Sequence, residues 1–509
     1  MRGPREEQGK WAGKSPFLAR YTALILFGVL ACACHQPATA AERPLEIVIP
    51  TAVSTLDPRF ATQSVDIKVT RLIHAGLVGL EPTTLEPVPY LAQSWRFVDA
   101  QTLELTLRAG VRFHSGRQLL ASDVCATLAA LGDPGLGSPH RVATESIVSC
   151  APIGQSAVRI TQQPGHATLL TDLEVPILRA DQARAPAGTS LDGLGPYRMT
   201  QANEQVIELV PAQGSVLPAP RHALVVRTIR DANVRVLRLM AGRSDIAPNA
   251  IPLALLPTLE QQSGVAVRAS RGANVSYLLL HNERAPFDRV ALRQAVSKAI
   301  DRELITRTLL AGHAEPARWL FPPQHWSSPK SSPTLVHDLH AARAGFYGVE
   351  TVTLLSSADH AKLTLARALA QMLSDAGLST RVIPLDSGAL FERLDRGDYQ
   401  MAILQMPELT EPNVLRWFFH RNNVPGEGGI GKNRARYRSE TASTLMDLAM
   451  AEPTRERRAQ LYGQLAEQFY ADMPVVPLWH EDQVAVVSAR ARDFTLSAEG
   501  RWLKVASLP

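Results

Sequence analysis

The sequence predicts an α/β protein of two or three lobes, and three observations lead to that fold class. The chain has 509 residues, which is more than one hydrophobic core usually holds. Its 45% apolar and 20% charged residues are typical of a protein that is globular throughout. Strand, helix and strand follow one another over residues 352–384, which predicts a right-handed βαβ unit and therefore a parallel sheet.

The N-terminal segment has the pattern of an export leader. Basic side chains up to Arg20 precede the apolar run 24–31, which is too short to span a bilayer as a stable helix and suits a secretory signal. The first twenty residues carry five basic and two acidic side chains, so the formal charge of +5 falls to +2 without them. An excess this small and dispersed gives no footprint for nucleic acid, which needs clustered basic residues.

Small residues before a cysteine at 29–34 resemble a lipobox, in which the thiol is acylated and becomes the mature N-terminus. Cys32 has the better aliphatic residue three positions upstream, and Cys34 is the second candidate. An ordinary cleaved signal and a short membrane anchor are the alternatives. We therefore expect a lipoprotein-type signal and linker over residues 1–41, and an exported protein tethered to a bacterial membrane in the periplasm.

Beyond the leader only two cysteines remain, Cys125 and Cys150. In an exported protein such a pair can form a disulfide, but the sequence alone does not supply the geometry, so a bridge and two free thiols are both open. Neither thiol has a histidine at metal-ligand spacing, and we expect no metal site.

Apolar periodicity divides the rest of the chain into strands and helices. Residues 45–50 form a buried strand, a loop follows to residue 58, and apolar positions from Val65 to Ile73 lie on one helix face. Residues 102–107 alternate strictly, as in a half-buried strand. The further predicted strands lie at 225–230, 352–355, 381–384 and 399–404, and further helices start at Asp231, Asp359 and Arg455.

Residues 278–305 contain an apolar strand, a Pro-Phe-Asp turn and two helices. Apolar residues recur at helical spacing from Leu292 to Ile300, which predicts one buried face. Asp288 suits the N-cap of the first helix, and Asp301 suits the N-cap of the second, because a carboxylate accepts hydrogen bonds from first-turn amides.

The residue sequence of this stretch resembles that of the solute-binding proteins of family 5, which serve ABC importers for oligopeptides, dipeptides and nickel. The matching features are an Asn, a Pro-Phe-Asp turn and an Arg-Gln-Ala helix that ends in Asp-Arg. Further segments that resemble motifs of this family lie at 91–95, 107–111, 113–116, 121–124, 193–197, 231–233 and 241–246. The resemblance implies the two-lobed periplasmic-binding-protein fold of class II, the Venus-flytrap, with an extra α+β subdomain in the first lobe.

The resemblance also implies how the chain is divided. We expect the first lobe to contain residues 42–80 and 191–274, with the extra subdomain inserted at 81–190. The second lobe spans 275–478, and residues 479–509 return to the first.

In that family the protein captures a solute between the lobes and delivers it to a membrane permease. We expect a peptide as the solute, with a nickel chelate, a sugar or another solute as alternatives, and no cofactor or nucleic acid. The chain would act as a monomer and break no bond, so we expect no enzyme and no catalytic residue. A periplasmic sensor or chaperone without import is a second alternative. An exported hydrolase is a remote one, because His114 and Ser115 lack a third, orienting carboxylate.

The resemblance finally implies which side chains meet the ligand. The opening strand and its loop line the family cleft, which puts Ser54 and Thr55 among the contacts. Family members place an acid against the ligand amine shortly after a Gly-Trp pair, where this chain has Gln405-Met406. Glu408 is then the better candidate for the amine partner, and Glu411 is the second. Aromatic and histidine side chains expected at the ligand are Trp417, Tyr437, Trp479 and His480.

The glycine-rich segment 426–433 matches two phosphate-loop patterns. A phosphate loop needs a strand before it and a helix after it, and Asn433 stands where a Ser or Thr would hold magnesium. We therefore expect a flexible loop at this place and no nucleotide site.

Overall fold

Two mixed sheets and one smaller antiparallel sheet organise the protein. The structure is a computed structural model that describes residues 43–331, 334–426 and 431–509. The signal and linker expected at 1–41, with Cys32 and Cys34, lie outside the described residues. In chain order the strands are β1 (Leu45–Ile49), β2 (Val78–Leu80), β3 (Pro87–Pro89), β4 (Ala92–Phe97), β5 (Thr102–Leu107), β6 (Ile147–Ile153), β7 (Ala157–Gln162), β8 (Tyr197–Ala202), β9 (Val206–Pro211), β10 (Leu224–Thr228), β11 (Ile246–Pro248), β12 (Val265–Ser270), β13 (Val275–Leu280), β14 (Ala314–Pro316), β15 (Val352–Ser357), β16 (Thr380–Leu385), β17 (Met401–Met406), β18 (Val475–Glu481) and β19 (Gln483–Ser488).

The helices pack on the faces of these sheets. In chain order they are α1 (Ser64–Ile73), α2 (Ala121–Gly132), α3 (Leu169–Asp172), α4 (Ala232–Met240), α5 (Leu256–Glu260), α6 (Val290–Ala299), α7 (Arg302–Thr308), α8 (Leu339–Gly345), α9 (His360–Asp375), α10 (Ser387–Arg396), α11 (Val414–Phe419), α12 (Glu440–Ala451) and α13 (Arg455–Asp472). Within the described ranges, no helix is both long enough and apolar enough to cross a membrane.

The seven-stranded sheet has the order β12-β19-β11-β1-β10-β9-β8. β1 lies near its centre, parallel to both β10 and β11, and all five of its residues are buried. That burial on both faces explains why the sequence shows a mostly apolar run here instead of an alternation. The one charged residue of β1, Glu46, is paired, because its carboxylate accepts a hydrogen bond from Arg227 Nε at 2.8 Å.

The six-stranded sheet has the order β14-β18-β13-β17-β15-β16. β15 and β16 are parallel and α9 connects them, which confirms the predicted βαβ unit and the α/β class. Helices cover both faces, so the sheet lies between two apolar cores. One core contains α6 and α9, and the other contains α12 and α13.

A separate antiparallel sheet, β4-β5-β7-β6, packs against α2 with its own apolar core. The strict alternation at 102–107 is observed, with Leu103, Leu105 and Leu107 buried. Cys125 of α2 and Cys150 of β6 form a disulfide, with their Cα atoms 5.3 Å apart.

Two adjacent connections join the two large sheets. β12 continues into β13 and β18 continues into β19, and these strands pair antiparallel on both sides of the crossing. At the crossing, Asn274 Nδ2 donates to the Glu481 carbonyl at 2.6 Å, and Glu481 N donates to Asn274 Oδ1 at 2.8 Å. Gly272 is required there, because a Cβ atom would lie 2.0 Å from the Glu481 carbonyl oxygen. We call these paired segments the crossing ribbon.

One predicted helix cap is confirmed and one is wrong. Asp301 caps α7 by accepting from Leu304 N at 2.9 Å. Asp288 does not cap α6, which begins at Val290 after Arg289. The preceding turn continues through Asp288, whose amide donates to the Arg284 carbonyl at 3.1 Å, so the helix starts later than the pattern suggests.

Candidate functional site

A cavity of about 550 Å³ lies where the three sheet systems approach one another. Its walls come from α1 and the preceding loop, from the segment 140–176 beside the four-stranded sheet, and from the segment 408–423 after β17. We call it the cleft cavity. Because these walls are distant in sequence, only the folded chain forms it.

Two further cavities adjoin the cleft cavity. The inner cavity, of about 410 Å³, shares Arg71, Glu174 and Pro176 with it and extends towards residues 495–507. The outer chamber, of about 660 Å³, shares His166 and Thr171 with it on another side. The space between the sheets is therefore divided into compartments with common walls.

Glu408 lines the cleft cavity and stands two residues after the end of β17. Its carboxylate is partly buried and receives no hydrogen bond or ion pair from any residue that the structure describes. The cations that act on it electrostatically are Lys68, Arg71 and Arg501. A carboxylate in this position can accept a ligand cation without first losing a protein partner.

Lys68 and Arg71 lie one helical turn apart on α1, and Arg71 lines the cleft cavity. The Lys68 ammonium has no ion pair in the described part of the chain, and burial lowers its pKa. Arg71 Nη2 pairs with Glu174 at 2.9 Å, while its Nη1 is buried and has no partner among the described residues. Each of these two side chains therefore keeps hydrogen-bonding capacity.

Arg501 completes this group of cations from the C-terminal end of the chain. Its Nη2 lies 2.8 Å from Glu174, and its Nε lies 2.7 Å from Glu499. Burial raises the pKa of Glu499, which favours its neutral form. Three cations, Lys68, Arg71 and Arg501, therefore lie near two acids, Glu174 and Glu499. Of this group, Arg71 and Glu174 line the cleft cavity.

Glu411 has a different environment from Glu408. Arg458 pairs with it, and Thr171 Oγ1 donates to its Oε2 at 3.2 Å. Beside it, Ala167 N donates to the Met450 carbonyl at 3.1 Å. We call these five residues the latch, because they join the four-stranded sheet region to the helices of the six-stranded sheet.

The carboxyl group of Asp172 lines the cleft cavity next to the latch. Thr168 Oγ1 donates to it at 2.8 Å. Burial, followed by the nearby charge of Glu411, raises the pKa of Asp172 to about 7. This side chain therefore changes charge near neutral pH.

The predicted aromatic contacts occupy different places. Trp417 lines the cleft cavity. Tyr437 is buried in the core of the six-stranded sheet, where its hydroxyl donates to Asp472. Trp479 is fully buried, and its Nε1 donates to Glu481 Oε1 at 3.2 Å.

The remaining predicted site residues also lie outside the cleft cavity. His480 is buried with its Nδ1 2.5 Å from the Asn274 carbonyl oxygen, and burial lowers its pKa to about 4. Ser54 and Thr55 line a separate cavity of about 680 Å³, where both the amide and the hydroxyl of Ser54 donate to Asp66. Of the eight predicted ligand contacts, the structure brings Glu408, Glu411 and Trp417 to one cavity.

Sequence reasoning missed the cations near Glu408. The spacing of Lys68 and Arg71 on one helix was a usable signal, because residues three apart share a helix face. No local pattern connects them with Arg501, which is more than 400 residues away in sequence.

The glycine-rich segment is described only at its ends. α11 and a short helical turn precede it instead of a strand. Asn433 is buried, and its Nδ2 donates a hydrogen bond to the Tyr437 carbonyl at 2.8 Å. Among the described residues, no group of three or more His, Cys, Asp or Glu side chains could hold a metal ion.

The chain is similar to known proteins over most of its length. The model of the bacterial extracellular solute-binding proteins, family 5 Middle, matches residues 86–425. Heme-binding protein A of Haemophilus influenzae is 25% identical in an alignment 477 positions long that covers 84% of this chain and 85% of that protein. The probable D,D-dipeptide-binding periplasmic protein DdpA of Escherichia coli is 26% identical in an alignment 469 positions long that covers 87% of this chain and 89% of that protein.

Solved structures share the fold. The ABC transporter-associated periplasmic binding protein DppA of Helicobacter pylori, in complex with the peptide STSA, superposes with a TM-score of 0.74 at 22% identity. The superposition covers 90% of this chain and 97% of that one.

Proposed function

The chain belongs to family 5 of the bacterial extracellular solute-binding proteins, and on that premise we propose that it captures a short peptide in the cleft cavity and delivers it to an ABC permease. Its fold is the two-lobed class II fold of that family. We assign the seven-stranded and four-stranded sheets to the first lobe and the six-stranded sheet to the second. The crossing ribbon then joins the lobes.

The unpartnered carboxylate of Glu408 is the observation that carries the peptide proposal. A partly buried carboxylate without a partner is unfavourable, and a ligand ammonium would remove that cost. The α-amine of a peptide is such a cation. Glu411 would not serve, because Arg458 and Thr171 already satisfy it.

Closure would follow from the ligand touching both lobes. A ligand shifts an existing open and closed equilibrium only when it binds the closed form more tightly. A peptide held by Glu408 of the second lobe and by α1 of the first makes contacts that only the closed form offers. The crossing ribbon is the natural hinge, because few backbone segments there must bend.

We also propose that the mature protein is held in the periplasm by a lipid on Cys32. The support is the lipobox-like sequence at 29–34. Metabolic labelling with a palmitate analogue should mark the wild type and the Cys34→Ser variant but not Cys32→Ser. Label that is lost only in Cys34→Ser would assign the lipid to Cys34. No label on any of the three proteins would exclude a lipid anchor.

The peptide proposal is tested by binding. The purified mature chain, unfolded and refolded to remove bound solute, is offered a pool of di-, tri- and tetrapeptides and examined by native mass spectrometry. We expect retained peptides with a free amine and no retention of their N-acetylated counterparts. Retention of acetylated peptides at equal strength would contradict a role for Glu408, and no retained peptide would contradict the function itself.

A further inference from the structure

The latch stands between the cleft cavity and the outer chamber, because Thr171 and Glu411 line both. The other walls of the chamber include β4, the segment after β7 and the start of α13. Glu408 is not among the described residues of these walls. The outer chamber is therefore a compartment of its own beside the proposed peptide site.

Aromatic side chains line the outer chamber from two separate parts of the chain. Trp95 and Phe97 are two residues apart on β4, so they project from the same face of that strand. Phe97 is 49% exposed. Trp326, which is partly buried, lines the chamber from the segment between β14 and α8. Aromatic surface left open around one cavity is typical of a ligand site, because a ligand removes that surface from water.

Two guanidinium groups accompany Trp326. The Cζ atoms of Arg455 and Arg458 each lie 5.0 Å from the centroid of its ring, and both residues line the chamber. Arg455 pairs with Glu86 at 2.8 Å, and Arg458 pairs with Glu411. Even so, Arg455 Nη2 and Arg458 Nε are buried without a partner among the described residues. An oxyanion in the chamber would supply the missing acceptor through charge-assisted hydrogen bonds.

The acids of the chamber wall already have partners. Asp99 is exposed, and its carboxylate accepts from Gln101 N at 2.8 Å. Glu411 accepts from Arg458 and from Thr171 Oγ1. The remaining N–H groups of the two arginines are therefore left for a ligand.

We propose that the outer chamber is a second ligand site, separate from the peptide site, and that it binds a small aromatic anion. The ring of this ligand lies among Trp95, Phe97 and Trp326. Its carboxylate or sulfonate accepts hydrogen bonds from Arg455 and Arg458. The protein then has two compartments of different chemistry on the two sides of the latch.

The first experiment tests the anionic group. Fluorescence titrations of the refolded mature chain compare anilinonaphthalene sulfonate with phenylnaphthylamine, which has the same rings but no charge. We expect Arg455→Gln to weaken binding of the sulfonate by about fivefold or more and that of the neutral amine by less than about twofold. This variant should fold, because the ion pair that it loses is partly exposed. The matched control Arg457→Gln changes an exposed arginine of the same helix and should leave both affinities unaltered.

The second experiment tests the aromatic wall. Phe97→Ser removes a half-exposed ring and should keep the fold, which circular dichroism melting checks. We expect both probes to bind it about fivefold more weakly or worse, because both lose the same apolar contact. Phe391→Ser is the control, since it removes a ring of α10 that is 43% exposed and lies elsewhere on the protein.

Each result supports or overturns a stated part of this inference. If neither probe binds the wild type, or if neither variant weakens binding, the outer chamber is not a ligand site. If Arg455→Gln weakens both probes equally or neither, the assignment of an anion is wrong. If Phe97→Ser binds both probes like the wild type, the aromatic wall does not hold the ring. The titrations contain no peptide, so a failure of peptide capture would leave this inference standing.

Discussion

Among single residues, Glu408 offers the most direct test of peptide capture. Glu408→Gln keeps the shape of the side chain but removes the charge that would pair with a ligand amine. We expect peptide binding to weaken by at least ~1.5 kcal/mol, about tenfold, because hydrogen bonds to charged groups are among the stronger ones. Calorimetry with one peptide measures the change. Glu145→Gln is the control, since Glu145 lines the same cavity but pairs with Arg141 at 3.7 Å. Equal affinities of wild type and Glu408→Gln would remove the assignment.

Asp172 should make stability depend on pH. Its folded pKa of about 7 lies above the ordinary value near 4 of the unfolded chain, so the folded protein binds the additional proton. The stabilisation from this neutral carboxyl is complete below about pH 4 and is lost as the pH rises through about 7.

The expected result is a lower melting temperature at about pH 8 than at about pH 6, measured by scanning calorimetry. Asp172→Asn should reduce this difference because an amide does not titrate. Asp181→Asn is the control, since Asp181 is exposed and its pKa is lowered by Arg179. An undiminished difference in Asp172→Asn would assign the pH dependence to other groups.

The residue types suggested an acid for the site, and its contact with a ligand stays a prediction. Glu408 could be proposed because it follows a strand end where family members place an acid. The direction of a side chain is not written in the sequence, so Trp479 was expected at the ligand although it is fully buried. The grouping of Arg501 with Lys68 and Arg71 could not be predicted either, because folding alone brings these side chains together.

At the scale of elements, the disulfide fastens α2 to β6. Cys125 and Cys150 are separated by 25 residues, and closing a loop of that size stabilises the folded state by about 3 kcal/mol. Replacing both by Ala should increase hydrogen exchange across residues 121–162 while the six-stranded sheet keeps its protection. Wild-type protein treated with a reductant is the control and should show the same local change. Unaltered exchange in both samples would mean that packing alone holds these elements.

Helices and strands with a clear period of apolar residues could be predicted from the sequence. The residues at which they begin could not. α9 and its flanking strands appear where the apolar pattern placed them, because a buried parallel strand and an amphipathic helix have different periods. α6 begins later than expected, since the turn through Asp288 uses backbone hydrogen bonds that leave no signal in the residue types. The paired register of the crossing ribbon was also beyond sequence reasoning, because it depends on strands some 200 residues apart.

For the whole molecule, the latch should bias the balance between open and closed forms. Thr171→Val removes the hydroxyl that donates to Glu411 across the cleft. We expect the closed form to lose about 0.5–1.5 kcal/mol, which shifts the equilibrium between closed and open forms by about two- to twelvefold. Small-angle scattering of the ligand-free protein should give a larger radius of gyration. Thr189→Val is the control, because its exposed hydroxyl donates only to the nearby Pro186 carbonyl. An unchanged radius in Thr171→Val would show that the latch does not hold the lobes together.

The sheet order also has a consequence for the time at which the protein can fold. β19 lies between β11 and β12, and β18 lies between β13 and β14, so each large sheet has a gap until the last strands arrive. Synthesis must therefore pass residue 475 before either sheet can close, and the earlier strands wait for partners at long sequence separation. In an exported chain, as proposed above, this order leaves both large sheets unclosed until late in synthesis, and unclosed sheets can be threaded through a secretion channel.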